Sequence, residues 1–233
     1  MIRLFTGWDE REALGSAVFD HSVSAHSTVP VSITRLHGKQ RDGSNAFTYA
    51  RFLVPQLCAY SANTEGFAIF ADGADMLAMA DLAELWALRD GRYAVQVVKH
   101  EYKTKHPRKY IGTDMECDNR DYPRKNWSSL IIFNCMHVAN AFLNEANVRE
   151  SSGADLHRFY WLRDDQIGEL PPEWNWLCQE HGVNHRAKLV HYTAGIPQIP
   201  AYTESPHAGD WFAAAHKMYA APAAVEAPRW KYA

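Results

Sequence analysis

The sequence predicts a single α/β domain with a mostly parallel central sheet flanked by helices. Short apolar runs rich in β-branched and aromatic residues alternate along the chain with longer segments of helical pattern, which is the order of elements in such domains. The chain has 233 residues, enough for one domain to bury roughly 70% of its unfolded surface without a disulfide or a metal. We expect residues 1–233 to form this domain, with a loosely held Ala- and Pro-rich tail at 220–233.

The N-terminal part contains two predicted strand–helix units. Alternating residues predict a strand over Ile2–Thr6, and a helix follows over Asp9–Ala25 with apolar side chains on one face. A β-branched run predicts the second strand, Val29–Leu36. A second helix follows over residues 46–60, where Pro55 predicts a kink or break.

The rest of the chain continues the alternation. Phe67–Ala71 is short, apolar and aromatic, which predicts a buried strand. Asp81 is a predicted N-cap for the next helix. Further strands are predicted over residues 92–100, Leu130–Cys135 and Lys188–Tyr192. The polar segment between the first two of these is long for a compact domain, and loops of that length are usually functional or mobile.

Composition excludes several classes of protein. The net charge of −3 gives the molecule no electrostatic bias toward nucleic acid or anionic membranes. No stretch approaches the roughly 20 apolar residues of a membrane span, and the N-terminus has no signal-peptide pattern. The four cysteines form no CxxC pair, which is typical of reduced thiols and disfavours a zinc site. We therefore expect a cytoplasmic protein.

Two acids follow the predicted strand Phe67–Ala71. Asp72 and Asp75 stand where a buried strand reaches the carboxyl edge of the sheet, which is where open α/β folds bind ligands. An undistorted strand would send positions i and i+3 to opposite faces, but Gly73 tolerates a turn that re-aims one carboxylate. Paired carboxylates suit Mg²⁺ or Mn²⁺. The alternative is that Asp72 begins a turn and Asp75 is merely solvated.

A second candidate lies in "LVHYTAG". His191 stands at the end of a predicted strand, before a loop of small residues. A lone histidine is more often structural, but imidazole is also a suitable ligand for Mn²⁺ beside two carboxylates.

Five segments, in this order, resemble the GT-A nucleotide-sugar glycosyltransferases, nearest the family 8 group that includes glycogenin and bacterial lipopolysaccharide galactosyltransferases. They are "LFTGWDEREALGSAVFDHSVSAHS", "FTYARFLVPQL", "FADGADMLAMADLAELW", "WLRDDQIGELPPEWNW" and "LVHYTAGIPQIPAY". The resemblance covers most of the chain and implies a GT-A domain that transfers a sugar from a nucleoside diphosphate sugar.

The resemblance implies roles for particular residues. Trp8 or Asp9 would hold the base and ribose, the ring by stacking and the acid by hydrogen bonding. Arg51 of the TYxR segment would contact the donor sugar or phosphate. Asp165 and Gln166 would lie under the anomeric carbon and the acceptor hydroxyl.

The resemblance also implies a Mn²⁺ or Mg²⁺ site. Its ligands would be Asp72, Asp75 and His191, with Asp72 also near the donor. The donor would be a UDP-sugar, the acceptor a glycan or another hydroxyl compound, and the anomeric configuration would be retained. No nucleophile is identifiable, so a front-face transfer fits equally well.

The chain departs from the family pattern at three places. DGAD replaces DxD, and "NWSS" replaces the usual Asn-small-Gly. Asn126, Ser128 and Ser129 stand at the positions of that motif, and Asn126 is the donor-binding candidate among them. The "HYTAG" loop lacks a following lysine that often contacts the diphosphate. Basic residues of the 99–109 segment could supply that charge, or they form a solvated loop. Trp174 and Trp176 suit either a sugar face or the core.

Two alternative functions remain open from the residues. A sugar nucleotidyltransferase shares the sheet and the carboxylates, but it would normally carry a basic Gly-rich loop after the first strand, where this chain has "GWDEREA". A non-catalytic nucleotide-sugar or glycan-binding protein would carry DGAD as a degraded metal site.

Overall fold

A computed structural model describes residues 1–39, 41, 45–59 and 66–220. Within these residues the strands are β1 (Ile2–Gly7), β2 (Val31–Leu36), β3 (Phe67–Ala71), β4 (Met76–Ala78), β5 (Val95–Val97), β6 (Arg108–Lys109), β7 (Cys117–Asp118), β8 (Leu130–Asn134), β9 (Ile167–Glu169), β10 (Trp176–Leu177) and β11 (Leu189–His191). The helices are α1 (Ala13–His26), α2 (Val54–Ala59), α3 (Leu82–Ala87), α4 (Glu145–Glu150), α5 (Gly153–His157), α6 (Cys178–His181) and α7 (Ala208–Ala220).

The central sheet has the strand order β2-β1-β3-β8-β5-β9 in the described part of the chain. β2, β1 and β3 are parallel to one another, and so are β5 and β9. β8 runs antiparallel to both of its neighbours, β3 and β5. The sheet is therefore mostly parallel, as the sequence predicts. The carboxyl ends of β1, β3 and β5 share one edge with the amino end of β8.

A smaller sheet, of order β10-β11-β4, lies beyond that edge. β11 pairs antiparallel with β4, and His191 stands opposite Met76. Since Met76 directly follows Asp75, this register carries the end of β11 to the acids that follow β3.

The core covers both faces of the central sheet. Along β8, Ile131 and Phe133 point into one apolar cluster, whereas Leu130 and Ile132 point into another on the opposite face. A strand buried on both faces needs a continuous apolar run, which explains the "LIIF" sequence. Trp174 is 1% exposed and belongs to this core.

Most predicted elements are confirmed, with changes at their ends. Asp9 caps a 3₁₀ turn that leads into α1, and Asp81 caps α3 by accepting a bond from the Ala83 N–H at 2.8 Å. The second predicted helix is shorter than expected, because a 3₁₀ helix at Ala50–Leu53 precedes α2. Residues 221–233 of the expected tail lie outside the described residues, and the single-domain boundary stays a prediction.

The segment predicted as a long polar loop carries the two-stranded β6–β7 hairpin. We call residues 99–126 the cover segment. It is tied to the body of the protein: the Tyr110 N–H donates to the Ala194 carbonyl at 2.7 Å, and the Trp127 indole N–H donates to the His100 carbonyl at 3.0 Å. In the part of the chain that the structure describes, no helix is long and apolar enough to cross a membrane.

Candidate metal and donor site

A tight turn between β3 and β4 aims two carboxylates in one direction. Gly73 has φ +82°, the Ala74 N–H donates to the Asp72 carbonyl at 3.0 Å, and the Met76 N–H donates to the Gly73 carbonyl at 2.9 Å. A left-handed conformation is accessible to glycine without the steric cost of a side chain. Gly73 therefore permits the turn that brings the carboxylates of Asp72 and Asp75 together.

His191 completes the group. One ligand atom from each of Asp72, Asp75 and His191 lies within 4.8 Å of the others. The Tyr192 N–H donates to the Asp75 carbonyl at 2.8 Å, which holds the end of β11 against the turn. His191 Nε2 is 3.3 Å from Asp75 Oδ2.

A buried amide sets the orientation of the His191 ring. Asn175 is fully buried, and its Nδ2 donates to Ser129 Oγ at 2.9 Å. Its Oδ1 lies 3.0 Å from His191 Nδ1 and accepts from it. This bond puts a proton on Nδ1 and turns Nε2 toward the carboxylates, where it donates to Asp75 when the ring is protonated and offers its lone pair to a cation when the ring is neutral. A metal-binding histidine is usually oriented by a hydrogen bond of this kind.

The two carboxylates differ in their electrostatic surroundings. Burial raises the pKa of Asp72 to about 6, against the opposing effect of the Arg51 guanidinium. Burial also acts to raise the pKa of Asp75, but the adjacent His191 more than offsets it, and the pKa lies below its usual value. Asp75 Oδ1 is buried without a hydrogen-bond partner among the described residues. Two hard oxygen ligands, an imidazole lone pair and an orphaned buried oxygen fit a divalent cation such as Mn²⁺ or Mg²⁺.

Arg51 joins three parts of the site. Its Nη1 is 2.7 Å from Asp72 Oδ1 and donates to the Ser128 carbonyl at 2.9 Å, while its Nε donates to the Thr48 carbonyl at 3.1 Å. The side chain is buried. Arg51 thus holds the amino end of β8 beside the acids and places positive charge at the cavity wall.

Asp72, Asp75, His191 and Arg51 all open onto a cavity of about 730 Å³. The cover segment forms one wall, from which Lys109 faces the same space as Asp72 and Asp75. Asn126 also lines the cavity; its backbone is left-handed (φ 62°), and its side-chain amide donates to the Tyr102 hydroxyl at 2.8 Å. The departure from the family's Asn-small-Gly pattern therefore still leaves an asparagine at the wall.

Trp8 and Asp9 lie at the carboxyl end of β1. The Asp9 carboxylate accepts from the Arg11 guanidinium at 2.9 and 2.7 Å and from the Ala46 N–H at 3.1 Å, and the Arg11 bonds hold its pKa at about 2. The Arg35 guanidinium covers the Trp8 ring at 4.4 Å. The cavity wall at this end is formed by Arg11 and Asn45.

Asp165 and Gln166 do not line the cavity. The Gln166 carbonyl accepts from the Ala94 N–H just before β5, which places these residues at the amino edge of the parallel strands, opposite the acids. The side chain of Asp165 is 69% exposed and pairs with Arg163 at 3.1 Å, and Gln166 Oε1 accepts from the Arg163 N–H. The catalytic role expected for this pair has no support in its position.

Two residues outside the predicted set line the cavity. Ser128, just before β8, and His157, at the end of α5, line the cavity and are hydrogen-bonded to each other, Oγ to Nδ1, at 2.6 Å. Asn175, which orients the His191 ring, is also outside the predicted set. Only its place in the "WNW" turn of the family resemblance marked it in the sequence.

A second cavity of about 540 Å³ is lined in part by Asn175. Trp176 lines it with His181, whose ring centroid is 5.4 Å away. Of the two tryptophans proposed for a sugar face, Trp174 is core and Trp176 is half-buried at this second cavity.

No family model matches the chain. Protein CDI of Arabidopsis thaliana is 38% identical over 226 residues, an alignment that covers 90% of this chain and 84% of the plant protein. The chain belongs to the Protein CDI family.

Comparison with solved structures shows which proteins share the fold of this chain. The bifunctional glycosyltransferase WbbM matches with a TM-score of 0.65 at 17% identity, over 94% of this chain and 51% of that one. This chain thus spans about half the length of WbbM. The galactosyltransferase LgtC, in complex with donor and acceptor sugar analogs, matches with a TM-score of 0.59 at 13% identity, over 95% of this chain and 98% of LgtC. The glycosyltransferase GlyE of Streptococcus pneumoniae TIGR4 matches with a TM-score of 0.59 at 12% identity, over 92% of this chain and 61% of GlyE. The fold is that of these glycosyltransferases, and membership of family 8 stays a prediction.

Proposed function

We propose that this protein transfers a sugar from a nucleoside diphosphate sugar, with UDP as the nucleotide, to a hydroxyl group of a glycan or another acceptor. The single observation that supports this proposal best is the Asp72–Asp75–His191 group, with the orphaned Asp75 oxygen and the His191 ring held by Asn175. The fold shared with glycosyltransferases supports the reaction class.

Asp72, Asp75 and His191 would hold Mn²⁺ or Mg²⁺, and a cation bound there supplies Lewis-acid stabilisation of the departing diphosphate. Arg51 and Lys109 add positive charge to the same cavity. Because charge that develops on a leaving group is best stabilised by groups already in place, a buried Arg51 fixed by two carbonyls is suited to this task.

The chain's own residues also arrange the donor. We assign Trp8 and Asp9 to the nucleoside end through the loop that they form with Arg11, and Asn126 to the donor wall. Lys109 takes the place of the lysine that the "HYTAG" loop lacks. It comes from the cover segment, whose Tyr110 N–H is bonded to Ala194 of that loop. Retention of configuration and a cytoplasmic location stay predictions.

The first test is binding of UDP-sugars by calorimetry, with Mn²⁺ and with excess chelator. A cavity floor of two carboxylates repels a diphosphate until a cation bridges them, so we expect affinity to fall at least about tenfold in chelator. Equal affinity under both conditions would contradict the metal site. Metal-dependent hydrolysis of the bound UDP-sugar in the absence of acceptor would separate an enzyme from a protein that only binds nucleotide sugars.

A further inference from the structure

The cavity extends to both sides of the Asp72–Asp75–His191 group. In the central sheet β3 lies between β1 and β8, so the acids that follow β3 are flanked by the β1 end and the β8 end. Arg11 and Asn45 line the first side, and Ser128, Ala154 and His157 line the second. If the nucleoside lies at the β1 side and the diphosphate at the acids, the donor sugar falls on the β8 side.

The second side carries a built polar pair. Ser128 is 3% exposed, and its Oγ lies 2.6 Å from His157 Nδ1. The Arg51 guanidinium holds the Ser128 carbonyl at 2.9 Å while it also contacts Asp72. The His157 ring packs edge-on against Phe52, with centroids 5.4 Å apart. Backbone and ring are therefore both fixed relative to the acids.

The pair offers one donor and one acceptor whichever way its shared proton points. If Ser128 donates to Nδ1, then Oγ keeps an acceptor site and Nε2–H is a donor; in the other tautomer Oγ–H is the donor and Nε2 the acceptor. His157 Nε2 has no hydrogen-bond partner among the residues that the structure describes. A sugar hydroxyl needs both a donor and an acceptor, which this pair can supply together.

We infer that Ser128 and His157 bind a hydroxyl group of the donor sugar and thereby select which sugar is transferred, an inference that rests on the proposed function. The uncharged state of the imidazole agrees with this. Burial, with the nearby charges of Arg51 and Lys109, lowers the pKa of His157 to about 3, so the ring is neutral near pH 7. A neutral pair suits a hydroxyl group, whereas a phosphate would be better bound by a cation.

The test compares UDP with UDP-glucose, UDP-galactose, UDP-xylose and UDP-N-acetylglucosamine, each with Mn²⁺, by calorimetry. The variants are Ser128→Ala, which keeps the carbonyl that Arg51 binds, and His157→Phe, which keeps a ring against Phe52. We expect each to weaken binding of the preferred UDP-sugar up to about tenfold, the loss of one good hydrogen bond, and to leave the affinity for UDP unchanged. Ser151→Ala, whose hydroxyl bonds Tyr160 outside the cavity, is the control and should change neither affinity.

Three outcomes overturn the inference. Variants that bind UDP and UDP-sugar equally less well would show a structural or diphosphate role. Variants that keep the full affinity for the UDP-sugar would remove the pair from the sugar site, as would a wild-type protein that binds the four UDP-sugars with equal affinity. A wild-type protein that does not bind UDP with Mn²⁺ at all would instead refute the proposed function, and this inference with it.

Discussion

At the scale of single residues, the site is defined by buried groups whose hydrogen bonds are incomplete. Asp75 is 8% exposed and His191 is 2% exposed, yet Asp75 Oδ1 has no hydrogen-bond partner in the described chain. An unsatisfied buried carboxylate oxygen costs free energy, and a bound cation would remove that cost. A cation bound at Asp75 should therefore stabilise the folded protein.

We expect Asp75→Asn to abolish Mn²⁺-dependent turnover while the protein still folds. The substitution removes a ligand charge but keeps the shape of the side chain, and it relieves the repulsion between two close carboxylates. Mn²⁺ titration by calorimetry and a melting curve in chelator measure the two effects. Asp90→Asn, which changes an ion pair with Arg92 on the surface, is the control. Turnover at the wild-type rate would disprove the ligand role.

The raised pKa of Glu12 predicts that the stability of the fold depends on pH. It is 9% exposed, accepts from Asn45 Nδ2 at 2.6 Å, and burial together with the Asp75 charge raises its pKa from 4.5 to about 7. Between those values the folded chain keeps a proton that the unfolded chain has released. The free energy of unfolding therefore falls as pH rises from 4.5 to 7, by roughly 3 kcal/mol from this group.

Glu12→Gln should flatten that dependence, because glutamine keeps the acceptor oxygen and cannot ionise. Urea unfolding at pH 5 and pH 7.5 in excess chelator measures the difference. The variant should lose less stability across this interval than the wild type. An unchanged difference would mean that Glu12 titrates at its ordinary value.

At the scale of elements, the turn between β3 and β4 positions the candidate metal ligands. It converts two acids at positions i and i+3 into neighbours, and β4 then pairs with β11 to deliver His191. A shift of the turn would therefore move all three ligands relative to one another.

Gly73→Ala should weaken metal binding. A side chain at φ +82° costs roughly 1–2 kcal/mol, and its Cβ would lie 3.2 Å from Thr6 Cβ. We expect a lower melting temperature and a lower affinity for Mn²⁺ together. Gly91→Ala is the matched control, because a Cβ there meets no atom within 4 Å. If Gly73→Ala binds Mn²⁺ as tightly as Gly91→Ala, the turn does not position the ligands.

At the scale of the whole molecule, the cavity is closed from two directions. The sheet edge and the β10-β11-β4 sheet supply the acids and His191, and the cover segment supplies the opposite wall. Thr104 and the Lys105 N–H both contact the Glu180 carboxylate, so the cover is attached to α6 as well as to the loop after β11.

We therefore expect UDP with Mn²⁺ to slow hydrogen exchange in residues 108–126 and 191–195, the two walls that the ligand would join. A ligand that binds the folded state suppresses local opening of the segments that it contacts. Protection in α7, on another part of the fold, should change least. Protection spread evenly over the chain would contradict a ligand held between these walls.

Local patterns determined the central strands, the N-caps at Asp9 and Asp81, and the candidate ligands at Asp72, Asp75 and His191. Each depends on a short run: an apolar strand, a polar residue where it surfaces, or a glycine that permits a turn. The place of the two acids was predictable because ligands bind where strands of such a sheet reach their carboxyl edge. His191 reaches them by another route, the antiparallel pairing of β11 with β4 in the smaller sheet.

Tertiary structure alone decided which other residues reach that edge. β8 runs antiparallel, so its amino end places Ser128 in the cavity, whereas Asp165 and Gln166 precede the parallel strand β9 and lie at the opposite edge. Asn175 and His157 meet their partners across 16 and 29 positions of sequence. Strand direction and such contacts follow from how the whole chain packs, because the side of the sheet on which a residue emerges depends on the direction in which its strand enters, and no short run of residues specifies that direction.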